Sequence, residues 1–237
     1  MTWSIVARDG DGALGVAVAS RFFAVGALCP YARQSTGAVS TQALVNPHYG
    51  PAALARLAAG GAVEGALGAL VAADAGAAHR QVHAVDACGR TAAYTGDACL
   101  PWCGHATFDG FSVAGNMLAG KDVIEDTAAA YLANLSAPFP QRLIAAMLAG
   151  EAAGGDKRGK QSAALLIHGE EAWSDLDLRV DDHADPLAEL DRLERMSRTH
   201  WMVFRRFLPS HRDRVGVTDR RVIEAAILEA QRATEQS

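Results

Sequence analysis

The chain has 237 residues, 50% of them hydrophobic and 21% charged, which suits one large core with an appendage. A formal net charge of −5 leaves no basic footprint for nucleic acid, and no apolar run reaches the ~18 residues of a membrane helix. With no charged-then-apolar leader, the expected location is cytoplasmic, with the four cysteines as reduced thiols.

Residues 2–8 alternate with a period of about two and predict a strand. Asp9-Gly10-Asp11-Gly12 is turn chemistry, and residues 14–19 (LGVAVA) predict a second, buried strand, so the chain opens on a hairpin that anchors its start. Residues 22–30 read as a loop, 36–43 as a third strand and 46–50 as a turn. Pro51 opens a helix over 51–59, and Gly60-Gly61 separates it from a helix over 62–73. Both helices are Ala/Leu-rich with little charge, so both are expected to be largely buried. Residues 81–87 and 90–95 flank Cys88-Gly89 as a second hairpin. A strand over 111–117, helices over 121–134 and 138–150, a glycine-rich basic loop over 154–159 and strands over 162–168 and 173–180 follow. From Asp185-Pro186 onward the composition turns charged, with amphipathic helices over 186–207 and 218–234. Runs of strands alternating with helix pairs predict an α+β fold. The expected form is a four-layer α/β/β/α sandwich over residues 1–183, with a C-terminal helical extension over 184–237.

Thr2 carries the sharpest chemical suggestion. Removal of Met1 would leave it with a hydroxyl nucleophile and a free α-amine, whose reference pKa near ~8 lets it act as the base. The strand end around Gln42 and the Gly115-Asn116 pair offer amides and backbone donors for an oxyanion or a substrate amide. Asn46, His48 and Tyr49 crowd the turn after the third strand as substrate-binding candidates. In the loop over 154–160 (GGDKRGK), Asp156, Lys157, Arg158 and Lys160 suggest an anion site without the spacing of a nucleotide loop. Arg33 could add positive potential. Asp181, Asp182, His183 and Asp185 could hold a metal, but acids before Pro186 equally complement a helix start. Cys99, Cys103 and His105 lack standard zinc spacing. His79 and His83, four apart, should share one strand face. Trp201, Phe204 and Phe207 form an aromatic stripe suited to docking.

Residues 2–9 (TWSIVARD), 15–20 (GVAVAS), 41–50 (TQALVNPHYG), 115–118 (GNML), 154–165 (GGDKRGKQSAAL) and 181–186 (DDHADP) resemble the bacterial family known as domain of unknown function 1028. That resemblance implies a fold of the N-terminal nucleophile (Ntn) hydrolase type. The chain also resembles proteasome-type Ntn hydrolases. Thr2 stands at their nucleophile and residues 16–26 at their return strand and loop, but Ser20-Arg21 replaces the buried acid and Arg33 lies near the place of the lysine. The functional expectation is an amidohydrolase acting on a small anionic amide, with no cofactor and no metal, and with a homodimer or larger homo-oligomer as the assembly. A non-catalytic small-molecule binding protein on the same scaffold is the alternative.

Overall fold

β1 (Thr2–Arg8) and β2 (Leu14–Ser20) form the expected hairpin, with Trp3 opposite Ala19 and Arg8 opposite Leu14. The computed structural model describes residues 2–235. After the hairpin come β3 (Pro30–Arg33), β4 (Gly37–Ala43), α1 (Tyr49–Ala58), α2 (Val63–Ala73), β5 (Arg80–Asp86) and β6 (Thr91–Thr95). β7 (Gly104–Phe108), β8 (Phe111–Asn116), α3 (Asp122–Ala133), α4 (Phe139–Ala152), β9 (Ser162–His168) and β10 (Leu176–Val180) follow, and then α5 (Pro186–Thr199), α6 (Trp201–Phe204) and α7 (Arg220–Glu235). The fold is mixed α+β with two antiparallel sheets. One is ordered β10-β9-β2-β1-β8-β7 and the other β3-β4-β5-β6.

Strand alternation decides what each side chain meets. From the first sheet, Val6, Leu14 and Val16 pack against Ala38 and Val85 of the second, so these faces lie together. The opposite face of β2 meets α4: a Cβ on Gly15 would stand 2.9 Å from both Leu143 and Phe139. The outer face of the second sheet is covered by α1 and α2, where Tyr49, Leu54, Leu57 and Leu67 cluster with Val39 and Val82. α2 buries only Val63, Ala66 and Leu67, which corrects the expectation that it would be largely buried.

Two strands escaped the sequence reading, β3 and β7. Each lies at an edge of its sheet. Edge strands need one apolar face at most and tolerate Pro at their first residue, so Pro30 in β3 and the Gly-His-Ala-Thr-Phe of β7 give weak signals. The helix expected over 186–207 is divided, with α5 ending at Thr199 and α6 starting at Trp201. The chain separates into two compact units, residues 1–190 and 191–237.

α3 and α4 approach each other closely at Gly150. A Cβ there would stand 2.2 Å from Thr127 Oγ1, 2.9 Å from Trp3 Nε1 and 3.2 Å from the Val123 carbonyl. Thr127 Oγ1 is already bonded to that carbonyl at 2.6 Å and cannot swing away without losing it. Gly150→Ala is therefore expected to cost about 1–3 kcal/mol by overpacking, read as a lower urea midpoint at unchanged slope.

Candidate functional site

β1 lies in the interior of its sheet, so the start of the chain is held from both sides. Thr2 pairs with Asn116 of β8, and its Oγ1 donates to Ser20 Oγ of β2 at 3.1 Å. The Thr2 carbonyl accepts from Gln42 Nε2 at 3.4 Å and Asn116 Nδ2 at 3.3 Å. Both amides also donate to Gln81 Oε1, at 2.8 and 3.0 Å. Gln81 Nε2 in turn reaches the carbonyls of Gly115 and Gly104 and the Thr95 hydroxyl. Three side-chain amides thus form one lattice between the sheets. The structure brings Thr2, Gln42 and Asn116 together, and the two amides hold the chain start. Thr2 itself is only 5% exposed.

A second branch of the lattice contains Ser4, Ser40, His83 and Ser112, all fully buried. Ser4 Oγ lies 2.6 Å from Gln42 Oε1, an acceptor, so the serine donates its proton there. His83 Nε2, 2.8 Å from Ser4 Oγ, then carries a hydrogen and donates it, and Nδ1 lies 3.1 Å from Ser112 Oγ, whose own hydrogen goes to the Ala106 carbonyl at 3.1 Å. Burial, with His105 nearby, pushes the His83 pKa down from 6.5 to about 3, so the ring is neutral at ordinary pH. Serine beside histidine resembles a nucleophile and its base, but this serine spends its proton on a glutamine and meets no open space. His79 lies in the short 3₁₀ turn before β5 and does not share a strand face with His83.

Two of the three side chains bonded to Thr2 border recesses. Ser20 borders a cavity of about 100 Å³ between Trp3, Glu151 and the loop carrying Gly155, Asp156 and Lys160. Asn116 borders a cleft of about 370 Å³ that includes His79 and Cys99. Leu44 and Leu100, 63% and 58% exposed, also line the cleft. Ala43 and Met117, the residues that end or follow β4 and β8, line it too, with φ of 69° and 53°. Left-handed backbone at non-glycine residues stores roughly 1–3 kcal/mol each and concentrates at functional sites. Burial pushes the Cys99 thiol above its ordinary value, so it stays protonated.

The remaining candidates are distributed elsewhere. Arg33 pairs with Gly37, five residues along β4 from Gln42, or roughly 17 Å at 3.3 Å per residue. Asn46 and Tyr49 both bond Asp74, at 3.1 and 2.9 Å, and Arg80 joins them at 3.2 Å. The Gly76 amide together with Asn46 and Tyr49 holds the Asp74 carboxyl well below the usual range, while burial and Asp74 push the Tyr49 phenol up to about 12. These contacts fasten the turn and the first residue of α1 to Asp74, just after α2, and His48 is exposed at the tip of the turn.

The loop cations hold protein groups. Lys157 Nζ donates to the Pro101 carbonyl at 2.8 Å, Arg158 pairs with Asp156, and Lys160 pairs with Glu151 and, at 3.4 Å, Asp185. Asp156 also accepts from the backbone of Arg21 and of Arg158, each at 2.8 Å. Asp181 and Asp182 bond Arg179 and Gln161. Among the described residues no group of three or more His, Cys, Asp or Glu could hold a metal, and no helix is long and apolar enough to cross a membrane. Sequence reasoning missed Ser20, Glu151, Asp74 and the Ser4–His83 branch. A signal existed for the last: Ser4, Ser40, Gln42, Gln81 and His83 are polar residues at alternate positions of otherwise apolar strands.

The model of a family of unknown function, DUF1028, matches residues 2–190. A search of curated proteins finds no match. Among solved structures, the chain is similar to protein SPO2555 from Silicibacter pomeroyi, itself described as DUF1028. The identity is 32% and the TM-score 0.85, over 92% of this chain and 96% of that one.

Proposed function

The chain belongs to the DUF1028 family of unknown function, and on that premise we propose that it is an N-terminal-nucleophile amide hydrolase whose reagent is Thr2. In this reading the two facing sheets are the inner layers of a four-layer α/β/β/α sandwich of the Ntn type. Removal of Met1, which lies outside the described residues, frees the Thr2 amine. That amine takes the Oγ1 proton as the oxygen attacks the substrate carbonyl carbon. The tetrahedral oxyanion collapses, the C–N bond breaks, and the ammonium returns the proton to the leaving amine. Water, deprotonated by the same amine, then cleaves the acyl-threonine ester. Gln42 and Asn116 act as positioning residues, because their amides hold the Thr2 carbonyl.

One observation carries the reading: Thr2 is fixed at the head of an interior strand, with Oγ1 on Ser20 and its carbonyl on Gln42 and Asn116, and two of these three partners, Ser20 and Asn116, border recesses. The pairing of Lys157, Arg158 and Lys160 with protein groups gives no support to an anionic substrate. A second reading, ligand binding without turnover, is favoured by the burial of the Thr2 hydroxyl and by its bond to a serine where the Ntn pattern has an acid.

A β-lactone, which acylates N-terminal threonines, separates the two. Intact mass of the protein from its native host should lack the methionine, and peptide mapping after β-lactone treatment should find the adduct on Thr2 and none in Thr2→Ala. Retained methionine, or an untouched Thr2, would leave the binding reading in its place.

A further inference from the structure

The cavity beside Ser20 is walled by groups whose hydrogen bonds can be followed one by one. Asp156 is fully engaged: its oxygens take the Arg21 and Arg158 backbone amides and the Arg158 guanidinium. Glu151 is only half engaged. Its Oε2 accepts from Lys160 Nζ at 2.7 Å, while its Oε1, buried, has no hydrogen-bond partner among the described residues. A buried carboxylate oxygen left unpaired costs more than a buried neutral acceptor, so one beside a cavity points to something that donates to it. Lys160 supplies the complementary half. Its ammonium has three donors, and two go to Glu151 and Asp185. Trp3 gives an apolar wall: its Cη2 lies 3.3 Å from where a Cβ on Gly155 would stand. Gly154, Gly155 and Gly159, with φ of 112°, 47° and 104°, hold the loop in a course that side-chain-bearing residues rarely adopt.

These walls exclude two ligand classes. An anion would meet the Glu151 and Asp156 carboxylates. A second cation would stand beside the Lys160 ammonium, which already holds the other oxygen of Glu151. A neutral group that both donates and accepts suits the wall. About 100 Å³ admits several non-hydrogen atoms, since one water takes roughly 10–15 Å³ on the same scale. We propose that this recess binds a carboxamide or ureido group, its N–H on the half-satisfied Glu151 carboxylate and its carbonyl on Lys160 Nζ. The inference deepens the hydrolase reading and rests on it for its meaning: the group is the part of the substrate held on the Ser20 side of Thr2.

Acetamide and acetate, nearly identical in shape, provide the test on the full chain. Acetamide should move the Trp3 indole and Gly155 amide signals in a nitrogen-labelled spectrum and saturate. Acetate, which has no N–H, should not. Glu151→Gln should weaken acetamide by about tenfold, the scale of one hydrogen bond to a charged group, and Ala19→Leu, which fills the recess from β2, should abolish the response. Equal responses to both probes, no response to acetamide, or a folded Glu151→Gln that binds as before would overturn the proposal. The comparison of the two probes needs no variant and so survives any folding defect. Acetamide binding without a β-lactone adduct on Thr2 would sink the hydrolase reading alone, and an adduct without acetamide binding would sink this one alone.

Discussion

Acidification from pH 7 to pH 4 is expected to remove about 3 kcal/mol of stability through His83 alone. The sign follows from where the proton goes. In the folded protein the ring has a pKa of about 3, against 6.5 as the reference for an open chain. Above pH 6.5 it is neutral in both states and contributes no pH dependence. Between 6.5 and 3 the unfolded chain binds a proton that the folded one refuses, so each pH unit lowered costs about 1.4 kcal/mol. Below about 3 the loss is complete, near 5 kcal/mol in all. Desolvation is the main cause, and the fully buried Ser4 and Ser112 that flank the ring offer no counter-charge. Urea midpoints for wild type and His83→Gln between pH 4 and 8 check this. The variant should be flatter by that slope over the acid range, and parallel curves would refute the assignment.

Gln42→Leu is the substitution expected to cost most in the amide lattice, about 2–3 kcal/mol. Leucine keeps the volume, so cavity formation adds little. The loss is in partners: Ser4 loses its 2.6 Å acceptor, and the Gln81 carbonyl oxygen and the Ala114 and Thr2 carbonyls lose a donor. Asn116 still donates to Gln81 Oε1, and Ser40 Oγ remains within reach of Ser4, so the loss is that of several bonds in a connected network, at ~0.5–1.5 kcal/mol each, rather than of fully orphaned groups. Because Asn116 still reaches the Thr2 carbonyl, the chain start should loosen without detaching. Denaturant unfolding reads the first effect, and faster exchange of the Trp3 and Ser4 amides reads the second. A loss below 1 kcal/mol would mean that the lattice is dispensable.

Local patterns made much of the first unit legible. Alternation and Gly-rich turns identified β1, β2, β5 and β6, and helical spacing with Pro51 identified α1, because each signal is complete within about ten residues. The family resemblance was legible for the same reason, since it rides on contiguous strings. Charge, by contrast, is legible only once the fold is known. Lys157, Arg158 and Lys160 look like an anion site when read along the chain, and Asn46 and Tyr49 look like ligand groups. Their partners, the Pro101 carbonyl, Asp156, Glu151 and Asp74, are chosen by which segments the fold brings alongside.

What this sequence determined by itself was therefore the period and polarity of each strand, including a hydroxyl residue at the head of a buried one. The tertiary structure alone decided that two sheets turn polar positions toward each other, that two partners of Thr2, Ser20 and Asn116, border separate recesses, and that Glu151, which lines one of them, keeps an oxygen unpaired. The physical reason is range. Periodicity is set by neighbours in sequence, whereas the partner of a buried polar atom is set by closure of segments more than a hundred residues apart, such as Thr2 and Asn116.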